Sequence, residues 1–226
     1  MTLMTKIRYF FWRIVVNFME KRKLVVVSFR DEERSKIVDL INQSKKEVKM
    51  LLGTDEAFQI YMAVKNTSKI EGEIAEVGVY AGGSANLICK AKGDKMLHLF
   101  DTYEGLPKVG ENDRKFFEGE FSASLEEVKY NLRNCKNVYF YKGLFPDSAV
   151  PVQDKKFSFV HLDVDIYKST LDCLAFFYPR MVKAGIIISH DYFLDGGVRK
   201  AFEEFFENKP ESIIPISQSQ CLVVKV

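Results

Sequence analysis

The sequence predicts an α/β fold: a mostly parallel sheet with helices on both faces, preceded by a helical N-terminal extension. Three observations predict it. From Ile74 onward, short and nearly continuous apolar runs alternate with helical patterns, as parallel strands buried on both faces require. Apolar residues make up 47% of the 226 and charged residues 28%, a globular balance. A chain of this length buries roughly 70–75% of the surface it exposes when unfolded, so its core needs no disulfide or zinc staple.

Taken in order, Met4 to Glu20 reads as a helix. Lys6, Arg13, Asn17 and Glu20 form a narrow polar stripe, and Ile7, Phe10, Phe11, Ile14, Val15 and Phe18 lie opposite. Tyr9, Trp12, Val16 and Met19 occupy the flanks, and Lys21, Arg22 and Lys23 follow at once. No small-residue cleavage site follows the apolar run, which argues against a secretory signal, and no stretch of 18 apolar residues spans a membrane. Three readings stand for this helix: an interfacial helix on anionic lipid, a helix buried in a dimer, or a helix packed on its own domain.

Asp31 to Leu52 is expected as one helix, with Ile37, Leu40, Ile41, Val48 and Leu51 at helical spacing and Gly53 as its stop. Thr54 can cap the next helix, with Asp55 and Glu56 expected in its first turn and Ala57, Ile60, Tyr61 and Val64 on its inner face. Ile74–Val79, Met96–Phe100, Val138–Tyr141, Phe157–Leu162, Ile186–Ser189 and Leu222–Val226 read as strands. Ser84–Lys92, Ser124–Asn134, Ser169–Tyr178 and Val198–Asn208 read as the helices between them. The expected organisation is a helical extension over residues 1–70 and one α/β domain over 71–226.

Composition excludes several classes. Lys plus Arg is 33 and Asp plus Glu is 31, a net charge of +2 that argues against a dedicated nucleic-acid binder. Cys89, Cys135, Cys173 and Cys221 lack zinc-ligand or CxxC spacing and read as small buried hydrophobes in a reducing cytoplasm.

In open α/β sheets, ligands bind beyond the carboxyl ends of the strands. The first such end runs from Ile74 through Glu76 to Gly78, Gly82 and Gly83, then into a helix capped by Ser84. A dinucleotide fingerprint needs a second glycine where Tyr80 stands, so that a pyrophosphate can reach the main chain. A nucleoside without a phosphate at this turn fits better, S-adenosylmethionine (SAM) first; a tight turn with no ligand is the plain alternative. The next end is Asp101, 23 residues after Gly78, where a carboxylate can hold a ribose diol or merely cap its loop. His98, in mid-strand, reads as a packed histidine. Lys108 to Ala123 is long enough for a lid that Phe116, Phe117 and Phe121 close over a ligand, with a plain linker as the alternative.

Phe157 to Asp165 alternates, so His161, Asp163 and Asp165 share one side if the strand persists that far. The following strand ends in His190 and Asp191. Adjacent strand ends bring Asp163 and Asp191 within reach of one ion, Mg²⁺ by their chemistry or Mn²⁺ given the histidine; helix-capping acids are the alternative.

Six segments together resemble the macrocin O-methyltransferase (TylF/MycF) family. They are Glu76-Val-Gly-Val-Tyr-Ala-Gly-Gly-Ser84, Phe100-Asp-Thr-Tyr-Glu-Gly-Leu-Pro107, Gly143-Leu-Phe-Pro-Asp147, His161-Leu-Asp-Val-Asp-Ile-Tyr-Lys-Ser-Thr170, Tyr178-Pro-Arg180 and His190-Asp-Tyr192. The resemblance implies a class I methyltransferase (Rossmann-like) fold that uses SAM and Mg²⁺ to methylate a sugar hydroxyl. It also implies a homo-oligomer with N-terminal segments contributing to contacts or to the substrate pocket. Carried over, Glu76, Gly78, Tyr80, Gly82, Gly83 and Ser84 would lie along the methionine part of SAM. Asp101, with Thr102 beside it, would hold the ribose, and the turn at Gly143 would lie near adenine. Asp163 would serve as metal ligand and general base, with His190 and Asp191 as further ligands. The family usually has paired acids where this chain has His190-Asp191. His190 therefore ligates as neutral imidazole, favours Mn²⁺, or leaves its position to water. The acceptor would be a small molecule or glycan, in the cytoplasm, with residues 4–23 touching the inner face of the membrane. Two rivals are a metal-dependent catechol or phenolic O-methyltransferase and a catalytically silent, membrane-docked scaffold of the same fold.

Overall fold

The computed structural model describes residues 3–24, 27–29, 31–194 and 196–226. Two compact units divide between Val38 and Asp39. The first contains helix α1, Leu3–Glu20, as the wheel predicts. Its Phe10, Phe11, Ile14, Val15 and Phe18 are exposed, whereas the side chains of Lys6, Ile7, Tyr9 and Glu20 lie outside the described residues. Among the described residues, no helix is long and apolar enough to cross a membrane.

Helix α2, Glu32–Glu47, runs across the division and opens on Asp31, whose carboxylate accepts from Arg34 N at 3.0 Å. It stops five residues short of the expected Leu52. A tertiary contact outweighs propensity here: Lys49 and Met50 lie against Gly83, where a Cβ would come 2.5 Å from Lys49 O.

The second unit follows as α3 (Thr54–Thr67), β1 (Glu73–Val77), α4 (Gly83–Ala91), β2 (Leu97–Asp101), α5 (Leu125–Asn131) and β3 (Val138–Lys142). It continues with β4 (Phe157–Leu162), α6 (Tyr167–Phe177), β5 (Met181–Ser189), α7 (Gly197–Phe206), β6 (Ile214–Pro215) and β7 (Cys221–Val224). The strands form one sheet in the order β3-β2-β1-β4-β5-β7-β6. The first five pair in parallel, β7 runs antiparallel to β5, and β6 antiparallel to β7. Two differences from the sequence reading stand out: β5 begins at Met181 rather than Ile186, and β6, two residues long, has no pattern to reveal it. Helix α3 packs on α4, β4 and β5, so it belongs to the sheet domain, and the division falls well before residue 70.

Aromatic side chains dominate one core. The Phe177 ring lies 5.1 Å from Phe157 and 5.3 Å from Phe145, with Phe100 beside them. Each fully buried ring contributes roughly 1.5–3 kcal/mol relative to an exposed one. His98 is packed as expected, stacked at 5.4 Å on Tyr139 and bonded at 2.9 Å to the Tyr141 hydroxyl. Cys173 and Cys221 are buried, but Cys89 and Cys135 are half-buried and close enough to shift each other's thiol pKa, Cys89 up and Cys135 down, a pairing the spacing does not reveal.

Candidate active site

Three neighbouring strands stop in step. Val77 is paired with Leu162, and Leu162 with Ser189, so Gly78, Asp163 and His190 are the next residues out. On the other side Val77 is opposite Phe100, which puts Asp101 on the same edge. Strand order reverses between β1 and β4, the crevice where parallel sheets bind ligands. A cavity of about 280 Å³ opens there, walled by Gly78, Tyr80, Gly83, Ser84, Asp101, Thr102, Gly143, Asp163, His190 and Asp191. Glu76 and Gly82 are not on the wall.

The turn after β1 is held by Asp101. Its Oδ2 accepts from Val79 N at 2.7 Å and Tyr80 N at 2.9 Å, and its Oδ1 accepts from Tyr103 N at 2.7 Å. The loop-capping alternative thus describes these contacts, although a carboxylate has about four acceptor positions and can take a further donor. Tyr80 is left-handed, with φ +49, a conformation that costs about 1–3 kcal/mol and persists because Asp101 fixes its amide. Its hydroxyl is bonded to Lys49 Nζ, and its ring meets Phe121 edge-on at 6.0 Å. Thr102 donates to Gly105 O at 2.6 Å.

Gly78 is needed for a different reason from the one its motif suggests. At φ +84, a Cβ would stand 1.8 Å from Asp163 O, so the glycine admits the neighbouring backbone rather than a ligand. Glu76 also departs from expectation. It is opposite His161 in the β1–β4 register, and its Oε1 lies 2.7 Å from His161 Nδ1, both side chains being fully buried. Burial raises its carboxyl above the usual range, and among the described residues Oε2 has no hydrogen-bond partner. The shared side expected for His161, Asp163 and Asp165 fails because β4 ends at Leu162. His161 turns to Glu76, while Asp163 and Asp165 both border the cavity, Asp165 with a left-handed backbone at φ +60.

Asp163, His190 and Asp191 offer ligand atoms that all lie within 4.8 Å of one another. His190 Nδ1 is 3.0 Å from Asp191 Oδ1 and 3.4 Å from Asp163 Oδ1. Its Nε2 is 3.3 Å from Glu56 Oε1, close enough for an ion pair but without hydrogen-bond alignment. Burial works against the imidazolium, but the surrounding carboxylates outweigh it and raise the histidine pKa. Burial likewise pushes Asp163 up, and His190 overrides it, holding Asp163 below the ordinary aspartate range. Asp165 goes the other way: burial, then the Asp163 and Asp191 charges, push its pKa well up.

These donors fit a hard divalent cation. Two carboxylates converge with one imidazole, which must release its proton to ligate, and the ring nitrogen turned away from them faces a third carboxylate, the way proteins commonly orient a ligating histidine. That third group, Glu56, was read from the sequence only as a first-turn acid. It does close the capping box, accepting from Gly53 N at 2.8 Å. Its other oxygen accepts from Ser219 Oγ at 2.9 Å beside His190. Burial raises the Glu56 pKa, yet His190, Gly53 and Ser219 together hold it at about 2.

The loop over residues 108–123 is tied down. Leu106 N donates to Glu120 O and Gly119 N to Leu106 O, each at 2.8 Å. Buried Asp113 accepts from Tyr167 N at 2.8 Å and so satisfies the first turn of α6 from another segment, a role no local pattern announces. Phe116 and Phe121 line the cavity, whereas Phe117 points outward and takes no part.

Comparison with known proteins accords with this arrangement. The family model described as Macrocin-O-methyltransferase (TylF) matches residues 14–218. Demethyldecarbamoylnovobiocin O-methyltransferase of Streptomyces niveus is 30% identical over 155 residues, 61% of this chain and 59% of that enzyme. The 8-demethyl-8-(2,3-dimethoxy-alpha-L-rhamnosyl)-tetracenomycin-C 4'-O-methyltransferase of Streptomyces olivaceus is 30% identical over 143 residues, 56% of this chain and 55% of the enzyme. The chain thus spans less than two thirds of the length of either curated relative. The solved structure of the O-methyltransferase NovP superposes with a TM-score of 0.74 at 22% identity, covering 85% of this chain and 97% of NovP. The shared fold is the class I, Rossmann-like methyltransferase fold. With the family model covering most of its length, the chain belongs to the macrocin O-methyltransferase (TylF) family.

Proposed function

We propose that this protein is a SAM-dependent O-methyltransferase that acts, with a divalent cation, on a sugar hydroxyl of a small glycoside or glycan precursor in the cytoplasm. One observation carries the reading: Asp163, His190 and Asp191 converge on the wall of the same cavity that the Tyr80 turn and Asp101 border. The rhamnosyl 4'-O-methyltransferase relative supports the substrate class.

SAM supplies a methyl group on a sulfonium, already an activated leaving group. A divalent cation held by Asp163, His190 and Asp191, magnesium or manganese, supplies a Lewis acid that lowers the pKa of an acceptor hydroxyl. The protein does the rest. Tyr80, Phe116 and Phe121 wall the cavity against water and fix the approach of the reactants. Orientation of this kind can supply about 7–11 kcal/mol of barrier reduction. The Asp101-held turn and Ser84 border the space for the nucleoside and its methionine tail. Asp163, on the cavity wall, would accept the hydroxyl proton from an acceptor placed beside it.

The test is calorimetry with SAM, followed by turnover on a panel of glycosides and nucleotide sugars with EDTA and with Mg²⁺ or Mn²⁺ restored. SAM binding and metal-restored transfer to a sugar support the reading. Failure to bind SAM ends it, and turnover indifferent to EDTA removes the cation.

A further inference from the structure

We propose that α1 and the basic run after it dock the protein on the surface of an anionic lipid bilayer. The inference rests on residues 1–38 and is independent of the methyl-transfer reading. Charge is divided unevenly along the chain. The first 30 residues contain seven Lys or Arg and one acid, Glu20, a net +6, which leaves −4 on the other 196 of a chain whose total is +2. Such asymmetry points to an anionic partner surface.

The same segment presents grease. Phe10, Phe11, Ile14, Val15 and Phe18 share one face of α1 and are all exposed, Phe10 and Phe11 at 62% each. A contiguous apolar face of this size in water marks a binding surface rather than ordinary surface scatter. Arg13 interrupts the helix at its middle, and among the described residues no helix can cross a membrane, so α1 would lie in the interface plane. Lys21, Arg22 and Lys23 are exposed at its C-terminal end, and the Arg22 guanidinium stands 4.0 Å over the Phe18 ring. A cation beside the ring at the end of an apolar face is what a helix needs to sink its aromatic side chains while its charges meet headgroups. Charge also selects between occupants. Two copies of a +6 segment laid face to face repel each other, whereas anionic headgroups complement it.

Trp12, the single tryptophan of the chain, lies on this helix and reports on the test. Full-length protein is mixed with vesicles of phosphatidylcholine and phosphatidylglycerol in equal parts, and with vesicles of phosphatidylcholine alone. The expected result is a blue shift of Trp12 emission and co-sedimentation with the mixed vesicles only, reversed by high salt. A Lys21→Gln, Arg22→Gln, Lys23→Gln variant should bind roughly a hundredfold more weakly, from about a factor of five per charge, with its circular dichroism unchanged. Phe10→Ser with Phe11→Ser should abolish the shift. Equal binding to both vesicle types, or no binding, overturns the proposal. So does a blue shift that follows protein concentration without lipid, together with a doubled mass, which would assign the face to a second copy. Should the triple variant misfold, the salt dependence of the wild type decides. SAM calorimetry on the same samples keeps the two readings separate, since docking can hold where SAM binding fails.

Discussion

Asp163 Oδ1 and His190 Nδ1 stand 3.4 Å apart across the ends of β4 and β5, and the sheet register is what brings them together. Leu162 and Ser189 are the last paired residues, so the two side chains leave adjacent strands at one level with no long arm needed to join them. Asp163→Asn keeps the shape and removes the charge. It is expected to leave SAM affinity little changed and to lower kcat by about 10²–10⁴, the usual contribution of a positioned base. Unchanged kcat, measured on the acceptor found in the glycoside screen, would remove Asp163 from the chemistry.

Glu56 reaches the same cluster from α3, with Oε1 at 3.3 Å from His190 Nε2. If it orients the ring through that nitrogen, Glu56→Gln should raise the Mg²⁺ or Mn²⁺ concentration for half-maximal activity about 10–100-fold. SAM affinity and kcat at saturating metal should stay close to wild type, because the amide still accepts from Gly53 N. A fall in kcat with an unmoved metal curve would make Glu56 merely structural.

Asp113 ties the long loop to α6 through the Tyr167 amide. Removing a capping carboxylate usually costs about 1–2 kcal/mol. Asp113→Ala is therefore expected to lower the urea midpoint accordingly and to speed protease cleavage within residues 108–123. It should also raise the KM for SAM, because Phe116 and Phe121 of that loop border the cavity. A loop cut no faster than in the wild type would show that its other bonds suffice.

Much of this was legible in advance, and the reasons differ from residue to residue. The strands were visible because a buried parallel strand must be apolar throughout, and their ends gave Asp101, Asp163, His190 and Asp191. Cross-strand partners were not visible. Nothing in the spacing of Glu76 and His161 says that β1 and β4 set them opposite each other, so Glu76 read as a ligand contact when it is a buried partner of histidine. Gly78 was placed along the cofactor by resemblance, since sequence cannot show that Asp163 O occupies the space a Cβ would need. Glu56 and Asp113 satisfy groups on distant segments, the Ser219 hydroxyl and the Tyr167 amide, 163 and 54 residues away, and only the folded chain reveals such bonds.

Glu211 offers a test of the C-terminal edge. It is buried, its Oε2 accepts from the Tyr178 hydroxyl at 2.8 Å, and its Oε1 accepts from Lys225 just past β7. Burial raises its pKa, but Lys225 and Tyr178 outweigh burial and bring it below the ordinary 4.5. A carboxyl whose folded pKa is depressed adds stability above its unfolded pKa and loses it as pH falls through the folded value. Wild-type stability should therefore fall as the solution is acidified below about pH 4.5, with Glu211 responsible for part of the slope. Glu211→Gln should be less stable at neutral pH by about 1–3 kcal/mol, since Lys225 loses its charged partner. Its curve should approach that of the wild type at low pH, where the wild-type carboxyl is protonated as well. Thermal or urea unfolding at a series of pH values measures the difference. Parallel curves for the two proteins would mean that Glu211 titrates no differently folded than unfolded.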